Sequence, residues 1–303
     1  MSVHSVLHVL IVLVLPPLLL GIVNKTKAAF AGRKGPPVLQ LYWDLAKLMR
    51  KGMVISSATT AMFLAGPVVS LTGVLIAALL VPLGHHPAVI AFPGDMILFA
   101  YLLALGRFFT TSAALDTGSP FEGMGASREV TFAWLAEPAM FLGFVALARM
   151  THSLSLSGML AGDLAASPQV GLGSIVLIAV AWFIVLLAEN CRIPFDDPNT
   201  HLELTMIHEV MVLDHSGPAL GAILYGAAVK FLLFAALVID LALPFTAGPW
   251  IDWLLFVLAA VLLAVVVGVV ESTMARLRLV HVPKLLVSAS LLTAFSVVFA
   301  LDR

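Results

Sequence analysis

The sequence predicts an all-α integral membrane protein: about eight transmembrane helices, plus an interfacial amphipathic helix in the first cytoplasmic loop. Three observations carry this. Of the 303 residues, 61% are apolar and only 11% are charged, whereas a soluble domain carries about 25% charged residues. The mean hydropathy is +1.08. Eight apolar segments reach the roughly 20 residues that a helix needs to cross the hydrocarbon core, and the connections between them are short. Residues 1–303 therefore read as a single multi-pass membrane domain, with 189–217 as a large charged loop between spans.

The first segment, 3–23, lies in MSVHSVLHVLIVLVLPPLLLGIV. It has no basic leader and no A-x-A-like site, so it reads as a retained helix rather than a signal peptide. The others are 57–82, 94–113, 130–150, 172–190, 218–240, 250–271 and 282–301. Within the first loop, GPPVLQLYWDLAKLMRK has a helical period. Val38, Leu41, Leu45 and Leu48 share one face, while Asp44, Lys47 and Lys51 lie elsewhere, as in a helix lying flat at the interface. GMGASRE at 123–129 follows no strand and is no dinucleotide loop. No internal repeat is evident, which counts against an inverted-repeat transporter.

Lys and Arg set the orientation, because basic loops stay cytoplasmic. The first loop holds Lys25, Lys27, Arg33, Lys34, Lys47, Arg50 and Lys51. The loops after the third, fifth and seventh spans hold Arg128, Arg192, Arg276 and Arg278. The loops at 83–93, 151–171 and 241–249 hold neither residue type. Both termini are thus expected outside. Of the 17 acids, most lie in the inner loops or near the inner ends of spans. Acids contribute little to orientation, so function is the better reason for that clustering.

The composition also excludes. A net charge of −1 gives no case for nucleic acid, which is normally met by a basic face. The one cysteine, Cys191, allows no disulfide framework, and a thiolate-held iron–sulfur cluster usually takes four. No Ser/His/Asp or Cys/His constellation stands out, so no catalytic residue and no metal site is assigned. HEVMVLDH begins with His-Glu, but Val212 breaks the H-E-x-x-H zinc pattern. His201 and His208 could share a helix face with Glu203 or Glu209, and read better as a hydrogen-bonded cluster than as ligands.

Three charges need explaining. Glu137 lies about two turns into the fourth span, where a carboxylate needs a partner or water. Glu189 ends the fifth span and could be a wet helix end. Lys230 lies too far from either end of its span to snorkel, so it should face an acidic partner or a polar interior. Arg107 and Asp240 fall closer to span ends and read as interfacial. Glu129, Glu189 and Glu203 lie on the same side as Glu137. Carboxylates brought close cannot all ionise, so protons should be shared among them.

ENCRIPFDDPNTHLELTM…LDHSG resembles the large cytoplasmic loop of the arm-anchoring membrane subunit of NADH–quinone oxidoreductase, known as subunit 1 in the mitochondrial complex I. The match rests on Glu189, Asn190, Arg192, Pro194, Phe195, Asp196, Pro198, Glu203, Leu204, Ser216 and Gly217. GRKGPPVLQLYWDLAKLMRKG at 32–52 is similar to the first-loop signature, at Gly35, Pro36, Pro37, Gln40, Asp44 and Lys47. Arg128 and Glu137 keep the family's spacing from a loop Arg to a buried Glu. HLELTMIHEVMVLDHSG is in turn similar to the membrane subunit of formate hydrogenlyase and other group 4 [NiFe] hydrogenases. There Lys230 matches a Lys, and Leu224 departs from an often acidic position.

The resemblance implies an eight-helix anchor in the cell inner membrane that docks a peripheral redox arm and links its turnover to proton or sodium movement. It implies a charged axis of Glu137, Glu189, Glu203, Glu209, Asp214 and Lys230. Around it would lie a docking and cavity loop with Arg128, Glu129, Arg192, Asp196, Asp197, His201 and His208. The expected partners are [NiFe]-hydrogenase-like and iron–sulfur subunits, antiporter-like membrane subunits and the lipid bilayer. The metal clusters belong to those partners, no cofactor is held by this chain, and a quinone remains open. The rival readings are the quinone-site membrane subunit of an NADH–quinone oxidoreductase, a stand-alone ion transporter and a structural anchor without coupling.

Overall fold

The computed structural model describes residues 3–162, 171–196, 206–243 and 246–301. The described residues form no β-sheet, only an isolated bridge between Leu83 and His86. Eight helices are long and apolar enough to cross a membrane. They are α1 (Val3–Phe30), α3 (Ala61–Ala78), α4 (Asp95–Asp116), α5 (Pro120–Thr151), α7 (Leu172–Glu189), α8 (Gly217–Ala242), α9 (Pro249–Thr273) and α10 (Val282–Leu301). Two short helices join them, α2 (Gln40–Leu48) in the first loop and α6 (Leu156–Leu160). Each expected apolar segment forms one helix, and the chain is a multi-pass membrane protein.

Helix α8 is the axis of the bundle and packs on α1, α3, α7 and α9. Its second half is buried all round, from Ala228 to Leu241 with the exception of Lys230, as expected of a helix that is apolar on every face. A second group consists of α5, α7 and α10.

Helices α3 and α4 meet through small residues. A Cβ added to Gly106 of α4 would stand 3.3 Å from the Ser70 Cα of α3. Such residues let backbones approach closely in a membrane.

The Pro16–Pro17 pair lies inside α1. Pro17 has no N–H for the Leu13 carbonyl four residues earlier, and Tyr225 of α8 donates its hydroxyl there at 2.9 Å. One residue on, the Val14 carbonyl accepts from the Tyr42 hydroxyl of α2. Helix α2 buries none of its residues and is held by this bond and by packing on α1 and α8. Inside it, Gln40 Nε2 donates to Asp44 Oδ1 at 2.9 Å.

Helix α5 differs most from its expected 130–150 range. It begins at Pro120 and runs for 32 residues, about 48 Å, beyond the roughly 30 Å hydrocarbon core. The Gly-rich 123–129 stretch is therefore helix, started by a proline at its first position. Gly125 lets the later loop lie against it: a Cβ there would meet the Ile207 carbonyl at 2.9 Å. That loop ends in a 3-10 turn, Glu209–Val212. Met206, Val210, Met211 and Val212 are buried there with Ala114 and Ala126.

Candidate functional site

Four helices contribute to one row of charges. Lys230 Nζ of α8 lies 2.7 Å from Glu189 Oε2 of α7. Arg107 of α4 places Nη2 2.8 and 2.9 Å from the two Glu189 oxygens. The same guanidinium donates from Nη1 to Glu137 Oε1 of α5 at 2.8 Å. The side chain of Glu189 is only 6% exposed and that of Arg107 13%, while Glu137 reaches 36%. Two cations and two carboxylates thus alternate. Each charge has an opposite neighbour, which removes much of the several-kcal/mol cost of an unpaired ion in a low dielectric.

The row separates two cavities. The first, about 80 Å³, is lined by Lys230, Glu189, Arg107, Glu129, Asn190, Cys191 and His208, with Ser70, Gly106 and Gly226 leaving the space. The second, about 380 Å³, lies on the far side of the same pair. It is walled by Ala100, Ala104, Ala136, Met140 and Phe141 and reaches Glu137 and the exposed Tyr101. Arg107, Glu189 and Leu103 line both. The first cavity abuts the loop, and the second opens toward the outer surface of α4 and α5.

The start of the loop is fixed by buried ion pairs. Asp196, 1% exposed, lies 2.9 Å from Arg276 and accepts from the Ile207 N–H at 2.8 Å. Arg192 lies 3.4 Å from Glu271, which also meets Lys27 at 2.7 Å. Arg128 donates to the Met206 carbonyl at 2.8 Å. The loop's charges therefore tie it to α5 and to the α9–α10 connection.

Several expected site residues fall elsewhere. Glu209 opens the 3-10 turn and Asp214 is exposed just beyond it. Neither forms an ion pair among the described residues. Asp197, His201 and Glu203 lie outside the described residues, so any metal set that includes them does too. In the first loop, Gly35 takes a left-handed turn (φ 62°) ahead of exposed Pro36 and Pro37, and Lys47 is in the last turn of α2.

Three sequence readings are corrected. Arg107 is not interfacial: α4 runs to Asp116 rather than ending near 113, which puts the guanidinium mid-helix between two carboxylates. Its depth within a span is the signal that could have found it. Asp240 is likewise fully buried and accepts the Gly84 N–H at 3.1 Å. Glu189 is no wet helix end but a buried, paired carboxylate. Glu137 and Glu189 have the Arg107 guanidinium between them.

One further trio lines the first cavity. Glu129, Cys191 and His208 each bring a donor atom within 4.8 Å of the others. Burial pushes the Cys191 thiol well above its ordinary value, with Glu129 adding to the effect.

Comparison with known proteins agrees with this architecture. The chain is 32% identical over 288 residues to hydrogenase-4 component C of Escherichia coli K12, covering 92% of this chain and 90% of that one. It is 32% identical over 293 residues to formate hydrogenlyase subunit 4 of the same organism, covering 93% of each. In a solved structure of the membrane-bound sulfane sulfur reductase, an archaeal respiratory membrane complex, one chain superposes with a TM-score of 0.81 at 20% identity over 98% of both chains. The family described as NADH dehydrogenase matches residues 3–301, and the chain belongs to that family.

Proposed function

We propose that this chain is the membrane-anchor and ion-coupling subunit of a complex I-like, membrane-bound [NiFe] hydrogenase or formate hydrogenlyase. Its loop at 189–217 docks the peripheral arm on the cytoplasmic side, with both termini on the outer side of the inner membrane. The [NiFe] and iron–sulfur centres belong to the peripheral subunits, and antiporter-like subunits complete the membrane arm. Electrons do not pass through this chain.

The observation that carries the reading is the row Lys230–Glu189–Arg107–Glu137, set between a loop-side cavity and a cavity that opens laterally. A proton or charge arriving in the first cavity meets Glu189 directly. Neutralising Glu189 weakens its hold on Arg107 and Lys230, and Arg107 then interacts more strongly with Glu137. A redox event beside the loop is thereby felt on the far side of α4. The match to hydrogenase-4 component C and formate hydrogenlyase subunit 4 over nine-tenths of their length supports the hydrogenase branch.

The test replaces Glu189 with Gln in the complete complex, reconstituted into vesicles. Ion movement per turnover should fall by about tenfold or more, while electron transfer to a soluble dye in the peripheral arm persists. Pumping at the parental rate would overturn the coupling role. Co-purification with NADH-oxidising subunits and a tightly bound quinone would move the chain to the quinone-reducing branch.

A further inference from the structure

The trio Glu129, Cys191 and His208 comes from three separate stretches: the interior of α5, the turn after α7 and the loop before the 3-10 turn. None of the three is solvent-exposed. Among the described residues, Glu129 has no cation at ion-pair distance, because Arg107 and Lys230 are both engaged by Glu189. Its neighbour is instead the thiol, with Sγ 3.7 Å from Oε2. Arg107 and Lys230 line the same cavity, but Glu189 holds both, so the Glu129 carboxylate is left facing the thiol.

The geometry suits a metal ion. Around a tetrahedral zinc-like centre, with Zn–S about 2.3 Å and Zn–O about 2.0 Å, a sulfur and an oxygen ligand stand about 3.5 Å apart. Sγ and Oε2 are already at 3.7 Å, and the third donor lies within 4.8 Å of both, so about 1 Å of side-chain motion closes the set. A carboxylate, a thiolate and a neutral imidazole would together balance a divalent charge. Mixed sulfur, nitrogen and oxygen donors favour a borderline ion such as Zn²⁺ over Mg²⁺ or Ca²⁺.

Two further observations point to a ligand. Cys191 adopts a left-handed backbone (φ 49°), which a residue with a Cβ rarely does and which concentrates at functional sites. That turn carries its thiol into the cavity wall. Next to it, Asn190 Oδ1 is buried with no hydrogen-bond partner and lines the same cavity. A water in the fourth position of the metal would supply the missing donor, and the 80 Å³ cavity has room for one at about 30 Å³.

We propose that Glu129, Cys191 and His208 form a binding site for a single zinc-class divalent cation, open in its fourth position to the loop-side cavity. The site does not depend on the coupling role of the charged row. Binding forms the metal–sulfur bond and releases the thiol proton to solvent.

The full-length chain, without a polyhistidine tag, is purified in detergent, treated with a chelator and titrated with Co²⁺, then with Zn²⁺. Because Cys191 is the only cysteine, any thiolate-to-cobalt absorption has one source. One equivalent should bind with that band, and Zn²⁺ should displace it. X-ray absorption on the zinc form should show one sulfur at about 2.3 Å among nitrogen and oxygen neighbours. Cys191→Ala should abolish the band, and Glu129→Gln or His208→Gln should weaken binding by about tenfold or more. Absence of tight binding, a sulfur-free first shell or unchanged stoichiometry in Cys191→Ala would overturn the proposal. If a variant does not fold, the sulfur shell of the parent chain decides alone.

Discussion

A single nitrogen of Arg107, Nη2, spans both oxygens of Glu189 at 2.8 and 2.9 Å, while Nη1 of the same side chain reaches Glu137 at 2.8 Å. One planar fork therefore serves carboxylates on two helices. An ammonium is a compact point charge and cannot reproduce that geometry. Arg107→Ala should destabilise the chain by about 3 kcal/mol or more, because it leaves Glu189 buried with Lys230 as its one remaining cation. Arg107→Lys should recover less than half of that loss. Thermal unfolding in detergent checks both, and an Arg107→Ala chain as stable as the parent would show that the pair contributes nothing.

Asp196 is the buried anchor of the loop, held between Arg276 and the Ile207 N–H. Asp196→Asn keeps the shape and removes the charge. The loop should loosen, and the peripheral subunits should dissociate during purification while this chain stays in the membrane. Size-exclusion profiles of the complex read this directly. Arg192→Ala should act in the same direction through Glu271, and a fully assembled complex in both variants would mean that docking lies elsewhere.

The orientation has its own test. In a Cys191→Ser background, cysteines replacing the exposed Ala91 and Thr246 should react with an impermeant maleimide added to whole cells. Cysteines replacing Ala31 and Ser127 should react only after the cells are opened. The reverse pattern would invert the bundle and remove the docking face from the cytoplasm.

At the opposite end of the bundle, His86 stacks between His4 at 4.7 Å and Trp253 at 4.3 Å and bonds the Pro249 carbonyl at 2.8 Å. Burial lowers its pKa from the ordinary 6.5, outweighing the Pro249 bond, and the nearby His4 lowers it further. A histidine depressed in the folded state binds more protons when unfolded, so its contribution is fully present above pH 6.5 and is lost as the pH falls below it. Thermal stability of the parent chain should drop between about pH 7 and 5, and His86→Gln should flatten that slope. An unchanged slope would show that His86 is not the group responsible.

The eight helices are legible in the sequence because a span announces itself by length and apolarity alone. Their ends are less so. The end of α4 at Asp116 rather than 113, and the start of α5 at Pro120 rather than 130, depend on what each helix meets outside the bilayer. Periodicity does not report that. Lys230 signals its need for a partner because its depth is plain. Arg107 carries the same signal more weakly, since the apolar run stops short of the true helix end and makes the residue look shallower than it is. The Glu129–Cys191–His208 trio has no sequence signature at all. Glu129 and Cys191 stand 62 residues apart, and only the turn at Cys191 and the loop packed on Gly125 bring the three together.

The hydroxyls of Tyr42 and Tyr225 end one residue apart on α1, at Val14 and Leu13. The surface helix and the central helix are thus moored to the same turn. Replacing Tyr225 by Phe would thus leave the Leu13 carbonyl without the donor that Pro17 cannot supply, and would free the central helix from α1 at that level.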